Sequence, residues 1–199
     1  MNQNLIYYFT VIFLDFFTAF GLYSLLYLLL SIFIKKSLIK KVDEQASKLI
    51  SLIGILYFLT WIIGTLIEFQ NSTAAENSHT LDRMFGKYWF GYWLQPLIWI
   101  LITQLLRVKK NRKNVLLRIL FCLLLIISIE RFVIIVTSFH RDYLPSSWTM
   151  YSSLEIYPSN FILELIAKII YFLVFVGIFT LAELNVKKLI NIKTTANRR

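Results

Sequence analysis

The residues in this chain whose types and spacing could do chemistry gather in one stretch, ERFVIIVTSFHRDYLPSSW, from Glu130 to Trp148. An apolar run here carries an adjacent acid and base, Glu130 and Arg131. It then opens into a loop holding His140, Arg141 and Asp142, followed by Pro145, Ser146, Ser147 and Trp148. Ionisable groups at mid-bilayer cost roughly 2.5–3.5 kcal/mol each on insertion scales, which makes them functional candidates by default. A carboxylate in reach of a substrate hydroxyl can accept its proton, and an arginine can hold the oxygen or tune that acid. Neighbours on a helix point about 100° apart, so Glu130 and Arg131 do not pair with each other and each needs a partner on another helix. If the helix continues, Glu130, Thr137 and Arg141 share one stripe and Arg131, Ser138 and Asp142 the next. That makes two polar tracks rising over roughly 16 Å.

The rest of the chain has to position that stretch. Its 199 residues are 58% hydrophobic and 17% aromatic, and only 16% are charged, against about 25% in soluble domains. This excludes a soluble globule. A membrane span needs about 20 apolar residues, and five segments qualify, at about 6–34, 49–69, 88–106, 115–139 and 161–184. Met1 to Asn4 has no basic start and the first apolar run is too long for a signal core, so no cleavable signal is expected. With no Gly-Ser or Pro-rich linker, residues 1–199 read as one transmembrane domain. The lone Cys122 makes neither a disulfide framework nor a metal site and reads as a small buried apolar residue.

The net charge of +10 could point to nucleic acid, but its distribution argues otherwise. Lys35, Lys36, Lys40, Lys41 and Lys48 lie in the first loop, Arg107, Lys109, Lys110, Arg112 and Lys113 in the third, and Lys187, Lys188, Lys193, Arg198 and Arg199 in the tail. These are 15 of the 21 basic residues, and all fall on one side if five helices alternate. The opposite loops hold Arg83, Lys87 and Arg141. This asymmetry predicts an outer amino terminus and a cytoplasmic carboxyl terminus. Anionic lipid headgroups, not nucleic acid, are the expected partners of the basic runs.

Along the chain, Asp15 sits near the middle of the first helix, either hydrogen-bonded to a neighbouring helix or forming a proton or ligand site. Gly54 and Gly64 allow close helix contact in the second helix, and Glu68 at its outer end can reach water. Residues 70–87 read as an outer loop with a solvated His79. Its Asn71-Ser72-Thr73 matches a glycosylation acceptor of the kind frequent by chance. Tyr88, Trp89, Tyr92 and Trp93 form an interfacial belt. Pro96 frees a backbone carbonyl in the third helix, with Gln95 beside it and Gln104 deeper, as cavity lining or packing. In the second outer loop, about 140–160, Pro145 and Pro158 stop helices. Glu164 and Lys168 stand at i, i+4 and can pair, while Glu183 reads as solvated. Glu68, Gln95, Glu130, Arg131, Glu164 and Lys168 all fall in the outer half, which implies one polar pocket open to the outside. Both histidines lie in outer loops, which argues against haem ligation within a bundle.

At Glu130 to Trp148 the sequence closely resembles NrfD-type (polysulfide reductase-like) membrane subunits, in particular those of bacterial alternative complex III. The likeness runs from about Phe85 through FGKYWFGYW and the basic loop, past WTMYSSLEIYPS, to FTLAELNVKK. The resemblance implies an all-α membrane fold of two four-helix bundles with flanking helices, of which this chain corresponds to the second half, with five spans. It implies a cofactor-free subunit that interacts with quinol and passes electrons to an iron–sulfur or haem partner outside the membrane, alongside other membrane subunits. By the same resemblance Glu130 and Arg131 are the catalytic candidates. His140, Arg141 and Asp142 are the quinone-binding ones, joined by Gln95 beside the Pro96 kink and by Trp148, which with Pro145, Ser146 and Ser147 would shape the loop, with no metal or covalent cofactor. A non-catalytic assembly subunit on the same half-fold, and a small transporter or proton-conducting protein, are the alternatives.

The charge asymmetry gives a direct test. Cysteines placed at Ser78 and Ser153 are expected to react with an impermeant thiol reagent from outside, and one at Asn111 is not. External labelling of Asn111→Cys would reverse the orientation.

Overall fold

The computed structural model describes residues 3–33, 37–87, 89–127, 157–158 and 160–196. Every regular element among them is a helix: α1 (Gln3–Phe33), α2 (Ser37–Asn71), α3 (Ala74–Phe85), α4 (Trp89–Arg107), α5 (Lys109–Lys113), α6 (Val115–Ile126) and α7 (Phe161–Ala196). Leu5–Phe33, Ser37–Asn71, Trp89–Arg107 and Phe161–Leu189 are each long and apolar enough to cross a membrane, and Val115–Ile126 is a shorter apolar helix. The chain is an all-α, multi-pass membrane protein. Helices suit this solvent because each satisfies its own backbone polar groups where no water can. The expected fourth span at 115–139 is described only as far as Ile126–Ile127, and the stretch from Glu130 to Trp148 lies outside the described residues.

Three boundaries differ from the sequence reading. The second helix begins at Ser37, not near 49, because Asp43, Ala46, Ser47, Ile50, Ile53, Gly54 and Tyr57 form one buried stripe that runs through the charged stretch. Lys40, Lys41 and Glu44 occupy its exposed faces. The last helix continues past 184 to Ala196. Most of the segment read as an outer loop is α3, whose start carries a full capping box between Thr73 and Glu76.

α1 is the central element, packing on α2, α6 and α7, while α2 also packs on α4 and α7. The core is an aromatic column. The rings of Phe17, Tyr57 and Trp99 meet pairwise at 5.0–5.3 Å, and Phe172 of α7 packs on Phe20 and Tyr23. The Trp99 indole N–H donates to the Leu124 carbonyl at 3.0 Å. That carbonyl falls in the last turn of α6, where no intrahelical donor remains. Gly54 meets the Thr103 side chain so closely that a Cβ would overlap it, as expected for a small residue at a helix crossing. Gln104 proves to be a packing clamp: its amide donates to the Ser51 carbonyl and accepts from the Ser51 hydroxyl, both at 2.9 Å.

One buried cluster ties four helices together. Arg118 of α6 is 1% exposed at its side chain and Asp43 of α2 is 5%. The guanidinium grips both Asp43 oxygens, at 3.0 Å for Nη1–Oδ2 and closer still for Nη2–Oδ1. Its Nε donates to Ser24 of α1 at 2.6 Å, its face lies 4.5 Å from the Tyr27 ring, and Arg112 of α5 stands 3.7 Å from Asp43. Nearby, Lys48 of α2 reaches Glu183 of α7 at 3.3 Å, and Lys187 meets the same carboxylate at 2.7 Å. Glu183 is thus paired, not merely solvated. These bridges bring the described parts of the three basic runs to one end of the molecule.

Breaking a buried ion pair from one side leaves an uncompensated charge, at a cost of about 3–5 kcal/mol. Arg118→Leu and Asp43→Leu are each expected to destabilise the folded chain by that order in a detergent or lipid unfolding titration. The double substitution should lose much less than the two together. Additive losses would show that the pair carries no coupling.

Candidate functional site

A cavity of about 520 Å³ lies at the end of the molecule opposite the basic runs, where α1, α2, α3 and α4 converge. α4 supplies Gly91, Tyr92, Gln95 and Pro96. Pro96 has no N–H, so the Tyr92 carbonyl four residues back loses its helical donor. Gln95 beside it is 7% exposed. α2 contributes Thr60, Trp61, Gly64, Thr65 and Glu68, and α1 contributes Ile6, Tyr7 and Thr10. α3 adds Glu76, His79, Thr80 and Arg83.

The walls are cross-linked. The Thr65 hydroxyl donates to the Trp61 carbonyl at 3.0 Å and stands 2.9 Å from the Tyr92 hydroxyl. Trp61 packs on Tyr92 and Trp93 with ring centroids 5.5 and 5.6 Å apart. The Arg83 guanidinium sits 5.8 Å from the Tyr92 ring centre. Hydrogen bonds hold α3 over the cavity. Thr80 donates to Glu68 at 3.1 Å, Asn77 to the Phe69 carbonyl at 3.3 Å, and the Trp93 indole to the Met84 carbonyl at 2.9 Å. At its start the Thr73 N–H donates to Glu76 at 2.7 Å, and the Glu76 N–H returns to the Thr73 hydroxyl at 3.4 Å. The Thr73 backbone N–H, and then its hydroxyl, hold the Glu76 carboxyl below its ordinary range.

Of the residues expected to form a site, Gln95 lines this cavity. Glu130, Arg131, His140, Arg141, Asp142 and Trp148 lie outside the described residues. Glu68, read as solvent-reaching, is on the cavity wall and bonded to Thr80. His79 is exposed and borders the cavity. Glu164 and Lys168, grouped with Gln95 by depth, sit elsewhere, on the α1–α7 seam with Asp15. The polar groups of the α3 half therefore divide between two places among the described residues. Thr80 and Arg83 do not stand out in the sequence, because the polar segment 70–87 between two spans reads as loop. The Thr73-x-x-Glu76 capping box and the Thr80–Met84 spacing were the available signal. The lining combines aromatic rings with an amide, a guanidinium and a carboxylate. It can hold a flat amphipathic molecule and receive a proton from it. Among the described residues there is no group of three or more His, Cys, Asp and Glu able to hold a metal ion.

The cap gives a pH prediction. Because folding lowers the Glu76 pKa, its contribution is complete above the ordinary value of 4.5 and fades as the pH falls through the lower folded value. The protection of first-turn α3 amides, measured as the exchange rate relative to the intrinsic rate at the same pH, should fall on acidification. In Glu76→Gln that protection should not change with pH across the same range.

Comparison of the chain with protein-family models, with curated proteins and with solved structures gives no match in any of the three.

Proposed function

We propose that this chain is a quinone- or quinol-interacting membrane subunit of a respiratory oxidoreductase. It holds no covalent cofactor and passes electrons to an iron–sulfur or haem partner at the α3 end. The observation that carries the reading is the cavity, with buried Gln95 at the Pro96 turn and Glu68 on the facing wall beside Trp61 and Tyr92. A quinone headgroup is a planar ring with two oxygens. It needs aromatic walls, a donor for the carbonyl of the oxidised form, and an acceptor for each hydroxyl proton of the reduced form. The resemblance of the Glu130–Trp148 stretch to quinol-handling subunits supports the same reading. It adds Glu130, Arg131, His140, Arg141, Asp142 and Trp148 as groups acting on the headgroup. The charge asymmetry supports a fifth span from about 115 to 139, the α3 end outside and the basic end in the cytoplasm of a bacterial inner membrane.

A second reading, a non-catalytic assembly subunit on the same half-fold, is favoured by the buried Asp43–Arg118 cluster, which serves packing and no substrate.

Quinone content and quinol oxidation of the purified, intact complex separate the two. Gln95→Leu removes a buried donor and leaves a ligand oxygen unpaired. That costs about 1–3 kcal/mol, or roughly 5–150-fold in quinone affinity. Glu130→Gln is expected to keep quinone bound while slowing quinol oxidation by roughly 10²–10⁴-fold, the usual worth of a general base. Full assembly with unchanged binding and turnover in both variants would leave the assembly reading.

A further inference from the structure

Arg112 is set apart from the other basic residues of α5. Lys109, Lys110 and Lys113 are exposed, whereas the Arg112 side chain is only 12% exposed. It turns inward to Asp43, but its Nε stops 3.7 Å from Oδ2, beyond hydrogen-bond distance. Both Asp43 oxygens are already gripped by Arg118. One carboxylate thus serves two guanidiniums, and the three groups together carry a net positive charge in a largely covered place. The other acids at this end are engaged elsewhere: Glu44 with Lys48, and Glu183 with Lys48 and Lys187. Among the described residues the Arg112 guanidinium donates no hydrogen bond.

The depth of this cluster follows from α2. The uncharged stretch between Lys48 and Glu68 is centred on Phe58. Asp43 lies 15 residues from Phe58, or about 22 Å at ~1.5 Å per residue. Half a bilayer is about 15 Å of hydrocarbon, and about 20–22 Å with its headgroups. The two arginines therefore meet in the headgroup layer. From there α6 descends with Leu116, Leu120 and Leu123 exposed at successive turns, a track on which an acyl chain can lie. Val108 and Val115, on either side of α5, are exposed as well.

We propose that Arg112 anchors the phosphate of one anionic phospholipid in the headgroup layer beside α2 and α5. A guanidinium presents paired N–H donors that fit two phosphate oxygens. The phosphate supplies the negative charge that Asp43, held by Arg118, cannot give twice. Lys40, three residues before Asp43 on α2 and exposed, adds a cation on the same side of that helix. The basic runs attract an anionic surface as a whole; the half-buried arginine gives that attraction one stoichiometric place. A soluble phosphate offers the same oxygens but no chain for the apolar track of α6. This site stands at the opposite end of the molecule from the cavity and does not depend on its ligand.

The test is native mass spectrometry of the full chain, released from detergent micelles doped with dioleoyl phosphatidylglycerol or dioleoyl phosphatidylcholine. The wild-type protein is expected to retain one phosphatidylglycerol at lipid levels where it retains no phosphatidylcholine. Arg112→Gln should weaken that binding about tenfold or more, the usual worth of hydrogen bonds to a charged group. Lys110→Gln combined with Lys113→Gln should weaken it about twofold at most, as exposed charges do. Arg112→Lys keeps the charge beside Asp43 and loses the fork, so its retention should fall between wild type and Arg112→Gln. Equal retention of the two lipids by the wild-type protein overturns the proposal, and so does an Arg112→Gln loss no larger than that of the lysine pair. Should Arg112→Gln not fold, Arg112→Lys decides, and retention equal to wild type overturns it. An inorganic phosphate adduct held as firmly as the lipid makes the place one for a soluble anion and overturns it equally.

Discussion

The bundle depends on Arg118 being matched on every side. A guanidinium removed from water must have its donors engaged, and here Asp43 takes two of its nitrogens and Ser24 the third. Those partners come from α2 and α1, so Arg118 fixes the rotation and height of three helices at once. Apolar packing alone would not fix this register, because leucines and phenylalanines tolerate small slides and a bidentate ion pair does not. In lipid the constraint is stronger still. Tails are as apolar as the helix faces they would replace, so burial of apolar surface gives the helices little reason to associate.

Polar groups accordingly occur at separate levels with separate jobs. At the basic end they join helices: Asp43 with Arg118, and Lys48 with Glu183. Midway, Asp15 and Lys168 hold α7 against α1. This matters because most of α7 faces outward, with Leu163, Ile166, Ile170 and Val174 exposed. At the far end polar groups line a space instead of closing one. Only there does an added helix, α3, cross the bundle end with its own side chains turned to the cavity.

Much of this was legible in the sequence. The long apolar runs announced the helices, the Glu164–Lys168 spacing announced its pair, and Gly54 announced a close crossing. Asp43 and Arg118 were not read, because each sits among charges or at a helix start where solvent seems the obvious partner. Their positions on the buried stripes, Asp43 with Ala46, Ile50 and Tyr57, Arg118 with Phe121, Cys122 and Leu125, carried the information. Hydropathy averages a charged turn to zero, whereas periodicity keeps the face. α3 was missed for a related reason: a polar helix bounded by a capping box lacks the apolar length by which spans are found. The division of the polar groups between the cavity and the α1–α7 seam could not be read from depth alone, since depth says nothing about which face of which helix a residue occupies.

The Thr65 hydroxyl has one hydrogen, and it is committed to the Trp61 carbonyl. The contact between Thr65 and Tyr92 must then use the Tyr92 hydrogen, so the phenol oxygen is left with lone pairs only. Together with the Glu68 carboxylate, this makes one wall of the cavity a receiver of hydrogen bonds. An O–H or N–H group finds an acceptor on that wall, whereas a bare carbonyl oxygen does not. The backbone of α2, through a single threonine, thereby sets the hydrogen-bonding sense of that wall.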